Sequence, residues 1–388
     1  MGILLLNIVA FAMPEAAYSN PRAHGGWHGA DLAVWLGNFI LFDGKMRALF
    51  SMLFGASMLL VIERAAAQGN DPAGIHYRRM AWLLAFGLAH LWLLWDGDIL
   101  AQYAVIGMIA FAARDLPALR LITLGMLLVA YSWLMAAQLP FGVYQALHAG
   151  DDRSAIELAA WTSNFGVPPP GYIAAEIAAH LRGYPELVRL RFAEHPSGPL
   201  PALIYYGPET LAYMYFGMAG LRSGMFAGQW PAARYRKWLL VTWGTALPAY
   251  TALAGYVVWS GFSVFSVTLG LALATPLRPA MALGWVCLIL LLVRSSGALT
   301  ERIAATGRMA FTNYLLTSLI CTTLFYGYGL GWFGQLSRWQ LYPIAAVIWA
   351  AMLLWSKPWL ARFRFGPFEW LWRSLSRGSF QPILGAAS

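Results

Sequence analysis

Charge is what this chain has least of. Only 11% of its 388 residues are Asp, Glu, Lys or Arg, against about 25% in soluble domains. With 60% hydrophobic residues and a mean hydropathy of +0.58, that deficit excludes an ordinary soluble fold. Cysteine is almost absent too. Cys287 and Cys321 both lie inside apolar runs, so a disulfide framework is excluded. No His/Cys spacing fits a metal site, and no internal repeat is visible. Gly217, Gly220 and Gly224 follow no strand, so they read as helix-packing glycines rather than a nucleotide fingerprint. Gly327-Tyr328-Gly329 lacks the preceding Thr-Val of a potassium filter. The chain opens without a basic flank, which argues against a cleaved signal peptide despite Ala10-Phe11-Ala12.

What is present are long apolar runs separated by short basic loops. The fold class expected is an all-α, polytopic transmembrane helical bundle of about ten spans, forming one integral membrane domain over residues 1–388. Gly2 to Met13 are too short to cross a roughly 30 Å hydrocarbon core at about 1.5 Å per residue. They read as a first span with a missing or shortened cytoplasmic end. Further spans are expected over Leu49–Ile62, Tyr77–Trp95, Ile99–Ala113, Leu119–Leu139, Ala202–Leu221, Trp238–Trp259, Phe262–Val293, Met309–Tyr326 and Leu341–Trp355. The second is preceded by a break at Phe42-Asp43-Gly44-Lys45-Met46-Arg47. Phe262–Val293 is long and carries Pro276 and Pro279, so a bent or broken helix is expected there.

Residues 140–201 form the only long polar stretch. Glu176, Arg182, Glu186, Arg189 and Arg191 punctuate apolar residues there, which suits amphipathic helices on the outer membrane surface. The basic residues test this topology. With an inside N-terminus, seventeen of the 26 Lys and Arg, Arg294 among them, fall in inner loops and six in outer ones. Lys45, Arg47 and Arg278 fall within spans. The net charge of +9 is thus a topology signal, and no nucleic-acid partner is expected. The expected setting is a bacterial inner membrane crossed many times.

Ionisable groups at membrane depth are costly, so they mark candidate sites. His90 lies near the outer end of its span, with Asp96 and Asp98 just beyond. Two readings stand. His90 is a base or acyl relay oriented by a carboxylate, or a histidine bonded to a neighbouring helix. Asp96 reads as a helix cap and Asp98 as the pocket carboxylate. Lys45 and Arg47 either clamp an anion or snorkel to the interface. Glu209 is a natural partner for Lys45, Arg47 or Arg278, in substrate binding or in a structural ion pair. Arg308 could meet an anionic donor, or only obey the inside-positive rule. Asn313 would hydrogen-bond across helices. His24, His28, His148, His180 and His195 read as solvated loop or surface residues.

Gly307-Arg308-Met309-Ala310-Phe311-Thr312-Asn313-Tyr314, with Phe365-Gly366-Pro367-Phe368-Glu369-Trp370 further on, resembles the C-terminal portion of the YeiB family, here residues 300–388. Lys45-Met46-Arg47, Leu49-Phe50-Ser51-Met52-Leu53-Phe54-Gly55 and Gly97-Asp98-Ile99-Leu100-Ala101-Gln102-Tyr103 resemble its N-terminal half. Members open with an acidic and Arg-Gly stretch, whereas this chain starts Met1-Gly2-Ile3-Leu4-Leu5. The family consists of bacterial inner-membrane proteins of unassigned function. It is distantly similar to transmembrane acyltransferases, in which an intramembrane histidine serves acyl transfer. That similarity implies His90 and Asp98 as catalytic residues and an acyl-CoA donor. It leaves Lys45, Arg47, Glu209, Arg308 and Asn313 as substrate-binding candidates. Membrane lipids and a small-molecule or lipid substrate are the expected partners; self-association into a homo-oligomer is left open. The reading from another class is a transporter or a lipid- or quinone-binding protein.

Overall fold

The computed structural model describes residues 1–293 and 297–384. Arg294 lies outside them. Among the described residues the chain is helical throughout, with one isolated bridge between Phe363 and Leu384. An apolar backbone away from water must bond within its own segment, and the helix does this.

The chain opens with α1 (Leu4–Ala12), α2 (Glu15–Ser19) and α3 (Gly29–Gly37). A π-helical turn over Asn38–Phe42 leads to α4 (Lys45–Ala67). The expected break falls at Asp43-Gly44. Gly44 is left-handed (φ +69°), and a Cβ there would strike the Arg278 guanidinium. Then come α5 (Pro72–Leu93) and α6 (Leu100–Ala110), the latter extended by a 3-10 turn at Phe111–Ala113. Asp71 caps α5 by accepting from the Ala73 and Gly74 amides, with Pro72 in the first turn.

Helix α7 (Ala118–Ala149) outruns its apolar segment, which ends at Leu139. It passes through Pro140 and stops at Gly150 (φ +70°). One proline removes only one ladder bond, which a long packed helix tolerates. The polar stretch then forms α8 (Asp152–Phe165), α9 (Pro170–His180) and α10 (Tyr184–Glu194). Next are α11 (Leu200–Arg222), α12 (Ala232–Trp259) and α13 (Val264–Leu292). Helix α13 is continuous through Pro276 and Pro279. The chain closes with α14 (Ala298–Arg308), α15 (Ala310–Phe325), α16 (Leu341–Arg362) and α17 (Pro367–Arg377).

Four helical stretches among the described residues are long and apolar enough to cross a membrane: Gly29–Ala67, Ala118–Ala149, Val264–Leu292 and Arg338–Arg362. Leu100–Ala113 and Ala310–Phe325 are shorter apolar helices. Leu119, Ile122, Met126, Leu127 and Leu134 of α7 point outward from the bundle. So large an apolar surface suits lipid, not water.

Helix α11 packs on α4, α6 and α7, and α13 on α4, α7 and α12. The α4–α11 crossing is close because both faces carry glycine. A Cβ at Gly55 would meet the Met214 carbonyl, and one at Gly217 the Met52 carbonyl. A second cluster joins α1 to α15 and α16 through Ile8, Phe11, Phe325 and Leu341. Both cysteines are buried and free.

Candidate functional site

Two polar centres lie inside the bundle. The first is built on Glu209, which α11 carries just after Gly207-Pro208 and which is only 3% exposed. Its carboxylate pairs with Arg47 from α4 and Arg278 from α13. The Tyr213 hydroxyl donates to the same carboxylate at 3.2 Å. Two guanidiniums and one carboxylate thus share a site, and the attraction must offset the cost of removing all three from water.

Lys45 does not join them. Its Nζ donates to the Phe39 carbonyl at 2.5 Å and sits 3.5 Å from the Tyr250 ring centroid. The reason is helical rotation. At 3.6 residues per turn, side chains two apart point roughly 200° from each other. Arg47 therefore faces α11, while Lys45 turns toward α12. A polar track runs on from Arg47. The Ser51 hydroxyl donates to the Arg47 carbonyl at 2.9 Å and bonds Tyr103 at 2.5 Å, and Gln102 donates to Thr210 at 3.1 Å. Ser51, Gln102 and Tyr103 entered the sequence reading only within family-like stretches, with no site role, and Thr210 not at all. Gln102, a buried glutamine in an apolar helix, was the available signal.

The second centre is His90, in the last turn of α5 and 4% exposed. The amides of Leu94 and Trp95 both donate to its carbonyl, which ends the helix. The chain then reverses through Gly97, where a Cβ would strike the Trp95 ring. The reversal brings Asp98 back against the histidine: Oδ1 lies 2.9 Å from His90 Nδ1, with both side chains at most 1% exposed. The approach is oblique, a charge contact rather than an aligned hydrogen bond. Asp98 Oδ2 accepts the Ala101 amide at 2.8 Å, so one carboxylate both starts α6 and orients the imidazole. The cap expected of Asp96 is thus made by Asp98. Asp96 is exposed instead, 3.9 Å from His195 Nε2. The Tyr314 ring of α15 lies 5.1 Å from the imidazole and Trp95 stands edge-on at 6.3 Å. His90 Nε2 has no hydrogen-bond partner among the described residues.

The remaining candidates fall elsewhere. Asn313 donates to the Thr306 carbonyl and the Ser356 hydroxyl at 3.1 and 3.3 Å and accepts from Trp355 at 3.1 Å. It ties α14, α15 and α16 together. Arg308 is exposed at the end of α14. Neither His90 nor Glu209 lines either of two shallow, partly open clefts. One is bordered by Tyr18, Asn38, Asp43 and Arg338, the other by Asn313, Thr317, Met352 and Trp355.

Two further residues escaped the sequence reading. His76 is 2% exposed, bonds the Gly107 carbonyl through Nε2 at 3.0 Å and stacks on Phe111. Arg338, placed in an outer loop by sequence, is 1% exposed. On the side bearing α8 to α10, His180 is not a free surface residue. It stacks flat on Phe333 at 4.0 Å, and burial lowers its pKa from 6.5. Beside it the Glu15 amide donates to Glu176 at 2.7 Å, and burial raises both carboxyl pKa values.

Residues 221–379 match a family described as a protein of unknown function, DUF418. The uncharacterized protein YeiB of Escherichia coli (strain K12) is 34% identical over 398 residues, covering all of this chain and 96% of that protein. The uncharacterized protein YxaH of Bacillus subtilis (strain 168) is 29% identical over 98% of this chain and 92% of that protein. An uncharacterized 39.9 kDa protein from Bacillus acidopullulyticus is 24% identical over 99% of this chain and 92% of its own length. No solved structure matches significantly. With this identity running end to end, the chain belongs to the YeiB family.

Proposed function

We propose that this chain is a multi-pass protein of the bacterial inner membrane that transfers an acyl group from a cytoplasmic acyl-CoA donor to an acceptor at the outer side. The proposed topology has ten spans (α1, α4 to α7, α11 to α13, α15 and α16), both termini cytoplasmic, and α8 to α10 outside. The observation that carries the reading is the His90–Asp98 contact. Asp98 Oδ1 lies 2.9 Å from Nδ1 in an oblique contact, and Nε2 has no hydrogen-bond partner among the described residues. That is the disposition of a general base whose carboxylate neighbour stabilises the imidazolium.

In the proposed step, Nε2 takes the proton of the acceptor's hydroxyl or amine as that group attacks the thioester carbonyl. The carbon–sulfur bond breaks, and the imidazolium returns the proton to the leaving thiolate. Arg308, exposed at the inner end, meets the donor's phosphates. Arg47 and Glu209, with Lys45 behind them, hold the polar part of the acceptor, and Asn313 fixes α15 against α16. His90→Ala in inverted membrane vesicles should abolish thiol release from acyl-CoA while the purified protein keeps its helical circular-dichroism signal. Full activity in that variant sinks the reading. Topology is tested separately, because the native cysteines are buried. An impermeant thiol reagent outside the cell should label Ala160→Cys and spare Arg236→Cys; both positions are exposed.

One observation favours a second reading, a transporter or a lipid- or quinone-binding protein. Glu209 carries two guanidiniums from different helices, and α11 and α13 carry Pro208, Pro276 and Pro279 within their length. Movable helices around a buried charge serve transport equally well. Thiol release independent of His90, together with ligand uptake dependent on Glu209, would select it.

A further inference from the structure

The cleft beside α1 is built around an arginine that lacks a counter-ion. Arg338 begins the 3-10 turn that leads into α16 and is 1% exposed. Its backbone amide donates to the Gly25 carbonyl at 2.7 Å, and one terminal nitrogen donates to the Ala17 carbonyl. Its Nε is buried and has no partner among the described residues. No carboxylate among those residues pairs with it: Asp31, the acidic neighbour, spends Oδ1 on the Trp339 amide at 2.8 Å.

The guanidinium borders a narrow cleft with about 40 Å³ of free space and a mouth that is partly open. The polar rim is Tyr18, Ser19, Asn38 and Asp43; Leu6, Val9, Val267 and Leu271 form an apolar wall. Asp43 does not neutralise Arg338. It accepts from the Tyr18 hydroxyl at 3.1 Å, and Lys45 and Arg278 are its charged neighbours. Asn38 is committed to the Leu5 carbonyl and the Tyr342 hydroxyl. What the cleft lacks is therefore one negative charge at the guanidinium, with apolar surface beside it.

We propose that this cleft binds a single-chain amphipathic anion, its acidic headgroup on Arg338 and its hydrocarbon chain along the α1 and α13 wall. Burying an arginine without an anion is costly, and its planar fork matches a carboxylate or phosphate. Leu6, Val9, Val257, Val267 and Leu271, with the rings of Trp35 and Phe39, give a hydrocarbon chain apolar surface to lie against. Asp43 across the rim favours one negative charge over two. The proposal does not depend on acyl transfer at His90, which this cleft does not touch.

The test is unfolding temperature of the full chain in nanodiscs of zwitterionic lipid, titrated with decanoate, decyl phosphate, decanol and inorganic phosphate. The two amphipathic anions should raise it, since a ligand bound only by the folded state stabilises that state. Decanol and inorganic phosphate should not. Arg338→Met should weaken decanoate about tenfold or more. Leu271→Trp, which keeps the charge but fills the wall, should do the same, and it decides the matter if the arginine variant fails to fold. Equal shifts from decanol and decanoate, or decanoate binding unchanged in Leu271→Trp, would overturn the proposal. So would inorganic phosphate matching decyl phosphate. The stronger of the two anions shows whether a fatty acid or a lipid phosphate is the occupant.

Discussion

Helix α5 carries two buried histidines, and the difference between them is the most instructive contrast in the molecule. His76 and His90 are 2% and 4% exposed. Fourteen residues apart, close to four turns at 3.6 per turn, they point to nearly the same side of α5. Both therefore meet α6, one near each of its ends. His76 finds the Gly107 carbonyl and an aromatic ring, Phe111. His90 finds the Asp98 carboxylate and keeps its far nitrogen unpaired. Burial alone therefore does not single out a reactive imidazole. Under the proposed reading the partner does, because a carboxylate favours the protonated ring more strongly than a neutral carbonyl.

The largest expected effect would break this contrast outright. His90→Ala should lower acyl transfer by about 10²- to 10⁴-fold, the usual contribution of a general base. His76→Ala should leave the rate within a few fold. Equal rates for the two variants, measured as thiol release, would dissolve the distinction. Next comes the other buried charge centre. Glu209→Gln leaves Arg47 and Arg278 facing each other without their carboxylate. A loss of about 3–5 kcal/mol of stability is expected, read from denaturant unfolding in mild detergent.

Asp98→Asn sharpens the contrast by making the His90 partner neutral, as the His76 partner is. It keeps an oxygen for the Ala101 amide. The rate should fall about tenfold to a hundredfold with little change in KM, since only orientation and imidazolium stabilisation are lost. A wild-type kcat in Asp98→Asn would remove the carboxylate from the mechanism. His76→Ala should cost about 1–2 kcal/mol of stability, from one buried hydrogen bond and a stacked ring. An unchanged unfolding midpoint would show that His76 is not the anchor its contacts suggest.

The smallest effect is one of pH, at His180. Burial lowers its pKa below 6.5 in the folded chain, so the unfolded chain binds more protons as pH drops. Stability should fall as pH goes below about 6.5 and level off beneath the folded pKa. His180→Phe should flatten that decline between pH 7.5 and 5.5 in thermal scans. An identical slope would mean that His180 titrates as freely as an exposed histidine.

Much of the fold was legible along the chain. The run from Ile99 to Ala113, the break at Asp43-Gly44 and the helices after Gly150 each follow from local composition. The exceptions have local physics too. Pro140 did not end α7, because a packed helix survives the loss of one ladder bond. Site geometry was less legible. His90, Asp98, Arg47 and Glu209 stood out because charge in an apolar run is conspicuous. His76 did not stand out because it lies within the first two turns of α5, beside Arg78 and Arg79, where polar residues are ordinary.

By itself the sequence determined the membrane class, the helical elements and which polar groups must be accounted for, since hydropathy and helix formation depend on neighbours along the chain. Only the tertiary structure decided the pairings. Glu209 takes Arg47 and Arg278 and leaves Lys45 to an aromatic ring. Asp98 rather than Asp96 turns back to the histidine. Arg338 is drawn from the turn before α16 into a buried cleft against Gly25 and Ala17, more than 300 positions away. Each outcome depends on the rotation of one helix against another and on contacts between distant segments. Neither leaves a periodic trace in composition, so neither can be read before the helices are packed.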